Sequence, residues 1–406
     1  MQTSLSERLR SLFHPATIIA PPSTGVFHFQ KQSGQARSRL HLRVDSDGKG
    51  ILLINAARAL HLNPMATQMA FWFLSEFPAK PVIQSISNRY KVSTEQAKAD
   101  YTKLCLDLDE LIQPDGSCPI CELELDTIAP FSAQPSAPYR MDLALTYHCN
   151  NNCSHCYNAR SRQYPELTTA EWKKVIDHLW QIGIPHIVFT GGEPTLREDL
   201  PELIAYAENL GQITGINTNG RRLKDQTFLD SLVKAGLDHI QVTLESHDPQ
   251  THDHMVAAPG AWQDTVAGIR NAVASKLYMM TNTTLLQANS RHLKSTLQFL
   301  SDLKVPTVGL NALIYSGRGE KVGTGLAEEE LPALLEIARE LTEVAGQRLI
   351  WYTPTQYCHF DPILLDLGVK GCTAALYNMC IEPDGAVLPC QSYYSPLGNI
   401  LTDTWD

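Results

Sequence analysis

The spacing of apolar and polar positions changes along the chain, and each change marks an element boundary. From Leu40, short apolar runs alternate with polar residues. Leu40–Val44, Ile51–Asn55 and Ala59–Leu62 read as strands, with Asp47-Gly48 as the hairpin turn between the first two. Helical spacing follows. Met65–Phe77 is rich in Phe and Trp, Val82–Tyr90 begins just after Pro81, and a third stretch from Thr94 to Leu111 has Ser93 as its N-cap. Residues 40–112 therefore predict a winged-helix-like unit, with 1–39 as an N-terminal extension. Residues 113–138 hold prolines 114, 119, 130, 135 and 138 and read as an irregular linker.

Strand and helix then alternate over residues 139–353. Expected strands are Met141–Thr146, His186–Thr190, Ile213–Thr218, His239–Leu244, Met279–Leu286 and Thr307–Leu313. The first helix has a capping box, Thr168 with Glu171. It puts Trp172, Val175, Ile176 and Leu179 on one face and stops at Gly183. The second carries Leu200, Leu203, Ile204, Ala207 and Leu210 and stops at Gly211. Six strand–helix units predict an α/β fold with a parallel sheet. Six is short of the eight that close a barrel, so a partial (β/α)6 TIM-type barrel is preferred to a flat doubly wound sheet. Residues 354–406 show no long period and predict a small, loop-rich, cysteine-rich unit.

Composition narrows the function classes. Of 406 residues, 43% are hydrophobic and 19% charged, which supports a packed core rather than disorder. The net charge of −10 argues against a nucleic-acid partner. A metal-sensing DNA-binding regulator is the remote reading that the winged-helix pattern invites. Thirteen Lys/Arg against nine Asp/Glu up to Ile112 give it a weak electrostatic footprint. No apolar run is long enough to span a membrane, and Ala16–Ala20 is too short for a signal peptide, so a cytoplasmic location is expected. Ten cysteines in a reducing compartment then point to metal ligation more than to disulfides.

The densest chemistry is His148-Cys149-Asn-Asn-Asn-Cys153-Ser-His-Cys156-Tyr157, directly after the first barrel strand. Three thiolates can hold three irons of a four-iron cluster and leave the fourth open to a substrate. A zinc site completed by His148 or His155 is the alternative. After the second strand comes Thr190-Gly191-Gly192-Glu193-Pro194. Its glycines let backbone approach a ligand closely, and its carboxylate can pair with an ammonium group. The two motifs lie where barrel active sites lie, at C-terminal strand ends.

Over Tyr139–Leu313 the chain resembles the radical SAM superfamily, and both motifs match. The resemblance implies that Cys149, Cys153 and Cys156 bind a [4Fe–4S] cluster, that Tyr157 packs near the adenine of S-adenosylmethionine (SAM), and that Gly191, Gly192 and Glu193 recognise its amino group. It extends less sharply to Asn219, Thr243, Glu245, Thr284 and Asn289 as cofactor contacts, where ordinary strand-end polarity is the competing explanation. The implied chemistry is reductive cleavage of SAM to a 5′-deoxyadenosyl radical that abstracts hydrogen from a substrate. No catalytic acid, base or radical relay is identifiable beyond the cluster.

Two flanking segments resemble modules of peptide-modifying members. Ala59-Leu60-His61-Leu62-Asn63-Pro64-Met65-Ala66-Thr67 and the helices after it resemble PqqD-like domains, or RiPP recognition elements, which take a leader peptide as an added strand. Cys372, the stretch from Cys380 through Gly385 to Cys390, and Leu397-Gly398-Asn399-Ile400 resemble the start of a SPASM or twitch extension. That implies one auxiliary cluster, drawing on Cys372, Cys390 and two of Cys358, Cys380, Cys118 and Cys121; a buried free thiol is the competing role for Cys358 and Cys380. The SPASM pattern continues with more cysteines than follow here, so a second auxiliary cluster is not expected. The leading expectation is a maturase acting on a ribosomally made precursor peptide, by crosslinking or epimerisation, fed by a reductase or a flavodoxin- or ferredoxin-type donor. The alternative is cofactor biosynthesis of the pyrroloquinoline quinone or modified-haem type.

Overall fold

The structure is a computed structural model that describes residues 19–33, 36–55, 58–112, 135–158 and 160–405. Cys118 and Cys121 lie outside the described residues. The chain forms two units, Met1–Ala129 and Pro130–Asp406.

In the first unit an antiparallel sheet runs β1 (Gly25–Ser33), β2 (Ala36–Val44), β3 (Gly50–Ile54), β4 (Arg58–Leu62) in that order. The β2–β3 turn is the expected one: Gly48 has φ +82° and donates to Asp45 O at 2.9 Å. Helices α1 (Pro64–Leu74), α2 (Ala79–Tyr90) and α3 (Thr94–Ile112) follow. Leu40, Leu42, Leu52 and Ile54 on the sheet pack with Ala70, Leu74, Leu108 and Leu111 on α1 and α3. Strand β1 lies within the stretch expected to be an extension. Phe27 and Phe29 alternate with His28 and Gln30, and both rings pack onto this core.

In the second unit, β5 (Arg140–Thr146), β6 (His186–Gly191), β7 (Ile213–Thr218), β8 (His239–Thr243), β9 (Tyr278–Thr284), β10 (Thr307–Asn311) and β11 (Arg348–Trp351) lie parallel and side by side in chain order. The connecting helices are α4 (Thr169–Ile182), α5 (Leu200–Leu210), α6 (Gln226–Ala235), α7 (Pro249–Val256), α8 (Ala261–Val273), α9 (Leu293–Asp302) and α10 (Leu331–Val344). Sequential parallel order with right-handed crossovers keeps the helices on one face, as an incomplete barrel requires and a doubly wound sheet does not. The expected six strands become seven because β11, only four residues long, carries too short a pattern to stand out.

The cysteine-rich C-terminal segment extends this same sheet. Strand β12 (Asn378–Ile381) pairs parallel with β5, on the side away from β6, and β13 (Ala386–Leu388) and β14 (Gly398–Asn399) follow antiparallel. The Pro383-Asp384-Gly385 turn joins β12 to β13, with Gly385 at φ +88° donating to Glu382 O. The helix-facing side of the sheet is apolar: Met141, Leu143, Leu145, Ile187, Phe189, Ile216, Ile240 and Val242 pack on Trp172, Val175, Ile176, Leu179, Leu203 and Ile204. The capping box at Thr168–Glu171 and the left-handed glycine stops at Gly183 and Gly211 form as expected.

One polar contact stands at the N-terminal ends of the strands. His186 Nε2 lies 2.8 Å from His239 Nε2, and the His239 ring occupies the space beside Gly215, where an added Cβ would come within 2.0 Å of it. Two rings sharing one proton cannot both be charged, and burial with the nearby Arg140 charge pushes His239 down to about 4. A histidine lowered from 6.5 on folding stabilises the fold above 6.5, and that stability is lost as pH falls through 4. After allowance for the ring's partial exposure the effect is about 2 kcal/mol. Urea midpoints measured from pH 8 to pH 4.5 are expected to fall more steeply for the wild type than for His239→Gln, which keeps an amide there but has no titrating group.

Candidate active site

The loop from His148 to Tyr157 follows β5, and its backbone is held from several directions. Gly192 N–H donates to Thr146 O at 2.7 Å and Glu193 N–H to His148 O at 2.8 Å, so the loop after β6 is stitched to the loop after β5. This contact accounts for the paired glycines. A Cβ on Gly191 would meet Thr146 O at 2.1 Å, and one on Gly192 would meet His148 O at 2.4 Å. The C-terminal end of α7 contributes two acceptors, Val256 O for Asn152 N–H at 2.8 Å and Met255 O for Ser154 N–H at 3.1 Å.

Glu193 is buried and its carboxylate accepts four hydrogen bonds. Oε1 takes Thr195 N–H (3.1 Å), Thr195 Oγ1 (2.6 Å) and Thr218 Oγ1 (2.6 Å); Oε2 takes Asn219 N–H (2.7 Å). Burial raises its pKa, while the Thr195, Thr218 and Asn219 donors pull it back. Asn219 in turn donates from Nδ2 to Asn150 Oδ1 at 2.6 Å. These two residues tie the ends of β6 and β7 to the cysteine loop.

Glu245, Thr284 and Asn289 also come together. Glu245 Oε2 accepts from Thr284 N–H at 2.9 Å, and Asn289 Nδ2 donates to Glu245 O at 2.7 Å and Thr284 O at 2.8 Å. Glu245 Oε1 lies 2.9 Å from His155 Nε2, inside the cysteine motif, and Glu245 N–H donates to His252 Nδ1 at 3.2 Å. All of these residues are buried. The cluster therefore buttresses the loop from below through side chains bound to one another. Thr243, at the end of β8, is only partly buried and lies outside this network.

Tyr157 turns toward the C-terminal segment: its hydroxyl meets Gln391 Oε1 at 2.5 Å and its carbonyl accepts from Tyr394 OH at 3.1 Å. Sequence reading missed the Ser316-Gly317-Arg318-Gly319 loop. Its Arg318 and Gly319 N–H groups reach Cys156 O at 2.9 and 3.3 Å, and a Cβ on Gly317 would meet Tyr157 O at 2.5 Å. The spaced glycines were its only signal.

The three thiols are partly buried. Burial pushes Cys149 and Cys153 up, and the neighbouring charges of Cys156, Glu193 or Glu245 push the same way, against Arg162 beside Cys149. Among the described residues no three His, Cys, Asp or Glu side chains close on one point as they would around a single ion, whose ligand atoms sit about 2 Å from the centre. Of the two histidines that could complete a zinc set, His148 and His155, the second meets Glu245 through Nε2, and its buried Nδ1 has no hydrogen-bond partner among the described residues. An all-thiol set of three on one braced loop suits a cluster with one iron left open.

Residues 143–300 match the Radical SAM superfamily. This stretch is a radical SAM domain. The family implies a [4Fe–4S] cluster and SAM. The chain is 35% identical over 206 residues to the Fe-coproporphyrin III synthase of Methanosarcina barkeri (strain Fusaro / DSM 804), covering 49% of this chain and 51% of that protein. It therefore spans about half the length of that relative. It is 28% identical over 288 residues to the AdoMet-dependent heme synthase of the same organism, covering 66% of this chain and 81% of that one. Streptococcus suis SuiB bound to the precursor peptide SuiA superposes with a TM-score of 0.68 at 14% identity, over 93% of this chain and 87% of that one. At that identity the likeness is one of fold.

The other cysteines of the second unit divide. Cys380 is fully buried with Ala144, Tyr147 and Leu388, where it packs as a small apolar side chain. Cys358 and Cys372 are exposed and Cys390 is partly buried. The segments carrying these three are cross-tied, Lys370 N–H to Tyr357 OH at 2.8 Å and Ala375 N–H to Pro389 O at 3.0 Å. Among the described residues no helix is long and apolar enough to cross a membrane.

The glycine contact gives a direct test of the brace. Gly192→Ala must displace His148 O and with it the start of the cysteine loop. After anaerobic reconstitution it is expected to hold less than half the iron of the wild type with an unchanged far-ultraviolet circular dichroism spectrum. Glu193→Ala leaves four buried donors without an acceptor and is expected to lower global stability by more than about 3 kcal/mol in urea unfolding.

Proposed function

We propose that this radical SAM enzyme modifies a precursor peptide, docking the peptide's leader on the first unit and reacting its core segment at the open end of the parallel sheet. The observation that carries this reading is the extent of the fold likeness. The match to SuiB in its peptide complex runs over 93% of the chain and so takes in the N-terminal unit, whereas the two tetrapyrrole-processing relatives align with 49% and 66% of it. The four-stranded sheet has β1 and β4 as edges, and an edge strand is what a PqqD-like domain uses to accept a peptide.

The bound cluster and SAM supply a 5′-deoxyadenosyl radical. The chain's own part is to hold and shield. Cys149, Cys153 and Cys156 are the ligands. Glu193, Asn219 and the Glu245–His155 pair fix the shape of the loop that carries them. Thr243, at a strand end outside both networks, is left to face the cofactor. Cys358, Cys372 and Cys390, on cross-tied segments, and the buried Cys380 are the ligand candidates for one auxiliary cluster in a SPASM- or twitch-like extension. A reductase or a flavodoxin- or ferredoxin-type protein is the electron donor.

Tetrapyrrole chemistry is the second reading, favoured by the 35% identity to the coproporphyrin enzyme. The two separate in one assay. Reconstituted protein is incubated with SAM, dithionite and either a short peptide encoded beside its gene or a panel of iron-bearing tetrapyrroles. A peptide mass change with matching 5′-deoxyadenosine supports the first reading; a tetrapyrrole mass change with an unaltered peptide overturns it. The Cys149→Ala/Cys153→Ala/Cys156→Ala variant is expected to form no 5′-deoxyadenosine with either.

A further inference from the structure

Four consecutive carbonyls of the cysteine loop are each held by a guanidinium group. Arg162 donates to Cys149 O and to Asn151 O, Arg221 to Asn150 O at 2.7 Å, and Arg318 to Asn152 O at 3.1 Å. The asparagine side chains add to the grip: Arg221 reaches Asn151 Oδ1 at 3.1 Å, while Arg162 and Arg318 both reach Asn152 Oδ1, at 3.2 and 2.7 Å. The three arginines come from the loop before α4, the turn after β7 and the loop after β10, so no single element sets the arrangement. With the carbonyls turned outward, the amide of Asn151 is free to point the other way, and it donates to Cys149 Sγ at 3.4 Å.

The charges are not equivalent. Arg221 also binds Asp264, at 3.2 Å, and Lys224 shares that carboxylate at 2.7 Å. Arg162 and Arg318 meet no carboxylate among the described residues. Two uncompensated positive charges therefore sit on the loop that carries the cluster ligands. An iron–sulfur cluster becomes more negative when it gains an electron, and both nearby cations and N–H donors to its sulfurs favour that state. Both arginine side chains are solvent-exposed, so screening keeps the effect of each modest.

We propose that Arg162, Arg221 and Arg318 form a cationic collar that sets the shape of the cysteine loop and, through Arg162 and Arg318, favours the reduced state of the cluster held there. They are positioning residues. The proposal rests on the reading of Cys149, Cys153 and Cys156 as cluster ligands.

The test is an anaerobic potentiometric titration of the reconstituted protein by electron paramagnetic resonance, following the component that SAM addition perturbs. At a fixed potential, Arg162→Gln and Arg318→Gln are each expected to lower the reduced-to-oxidised ratio about threefold. The double variant is expected to lower it about tenfold, which is 59 mV for a one-electron couple. Asp264→Asn, which uncovers Arg221, is expected to raise the ratio. A loop that is merely loosened would shift the same way in all these variants, so the opposite sign separates charge from structure. The Arg162→Lys/Arg318→Lys double variant keeps both charges and is expected to keep the wild-type ratio. Equal ratios in the glutamine and wild-type proteins, or an equal fall in the lysine and glutamine double variants, overturn the electrostatic role. Amide hydrogen exchange of residues 148–157 in the cluster-free protein reads the shape-setting role separately. It is expected to speed up in both double variants, and unchanged exchange overturns that half. A wild type that binds no iron removes the cluster reading itself, a result distinct from iron bound at an unchanged potential.

Discussion

The buried carboxylate of Glu193 is the constraint on which the catalytic end of this fold depends. A charge in a protein interior is tolerated only where donors surround it. Here those donors belong to the chain just after β6 and to the end of β7, while the backbone of the same residue holds the start of the cysteine loop after β5. Three neighbouring strand ends are locked in register by one residue, whose side chain would be costly to leave unpaired. The glycines beside it serve the same contact from the other side, since only residues without Cβ let the two loops touch.

A second brace repeats the logic two strands further on. Glu245 takes the amide of Thr284 on one oxygen and the ring of His155 on the other, so the ends of β8 and β9 are fixed to the far part of the same loop. The cysteine loop thus hangs between two buried acids. Neither acid need touch a ligand to matter, because both decide where the three thiols stand.

Much of this was legible in the chain, for reasons that differ by residue. The cysteines were readable because their spacing is itself the chemistry. Trp172, Val175, Ile176 and Leu179 were readable because one apolar face of a helix has a period. Glu193 and Glu245 stood out as cofactor contacts, but their hydrogen bonds to neighbouring loops did not, since a carboxylate at a strand end looks alike in sequence whatever it meets. His155 was visible only as a second-choice zinc ligand, because its partner lies 90 positions away. The arginines on the loop carbonyls left no pattern: Arg162, Arg221 and Arg318 are scattered in sequence and converge only in three dimensions. Strand β1 was missed although Phe27 and Phe29 alternate correctly, and β11 was too short to carry a signal.

The pairing of β12 with β5 has a consequence for how the chain is made. Strand β5 is the first of its sheet to leave the ribosome, and one of its edges stays bare until residue 381 has been translated. A bare parallel edge beside a loop of three thiols is exposed to wrong partners throughout that interval, and long-range pairing of this kind is slow to form. The sheet is completed, and Tyr147 is buried against Leu388 beside the cysteine loop, only once these strands have followed all seven parallel ones out of the ribosome.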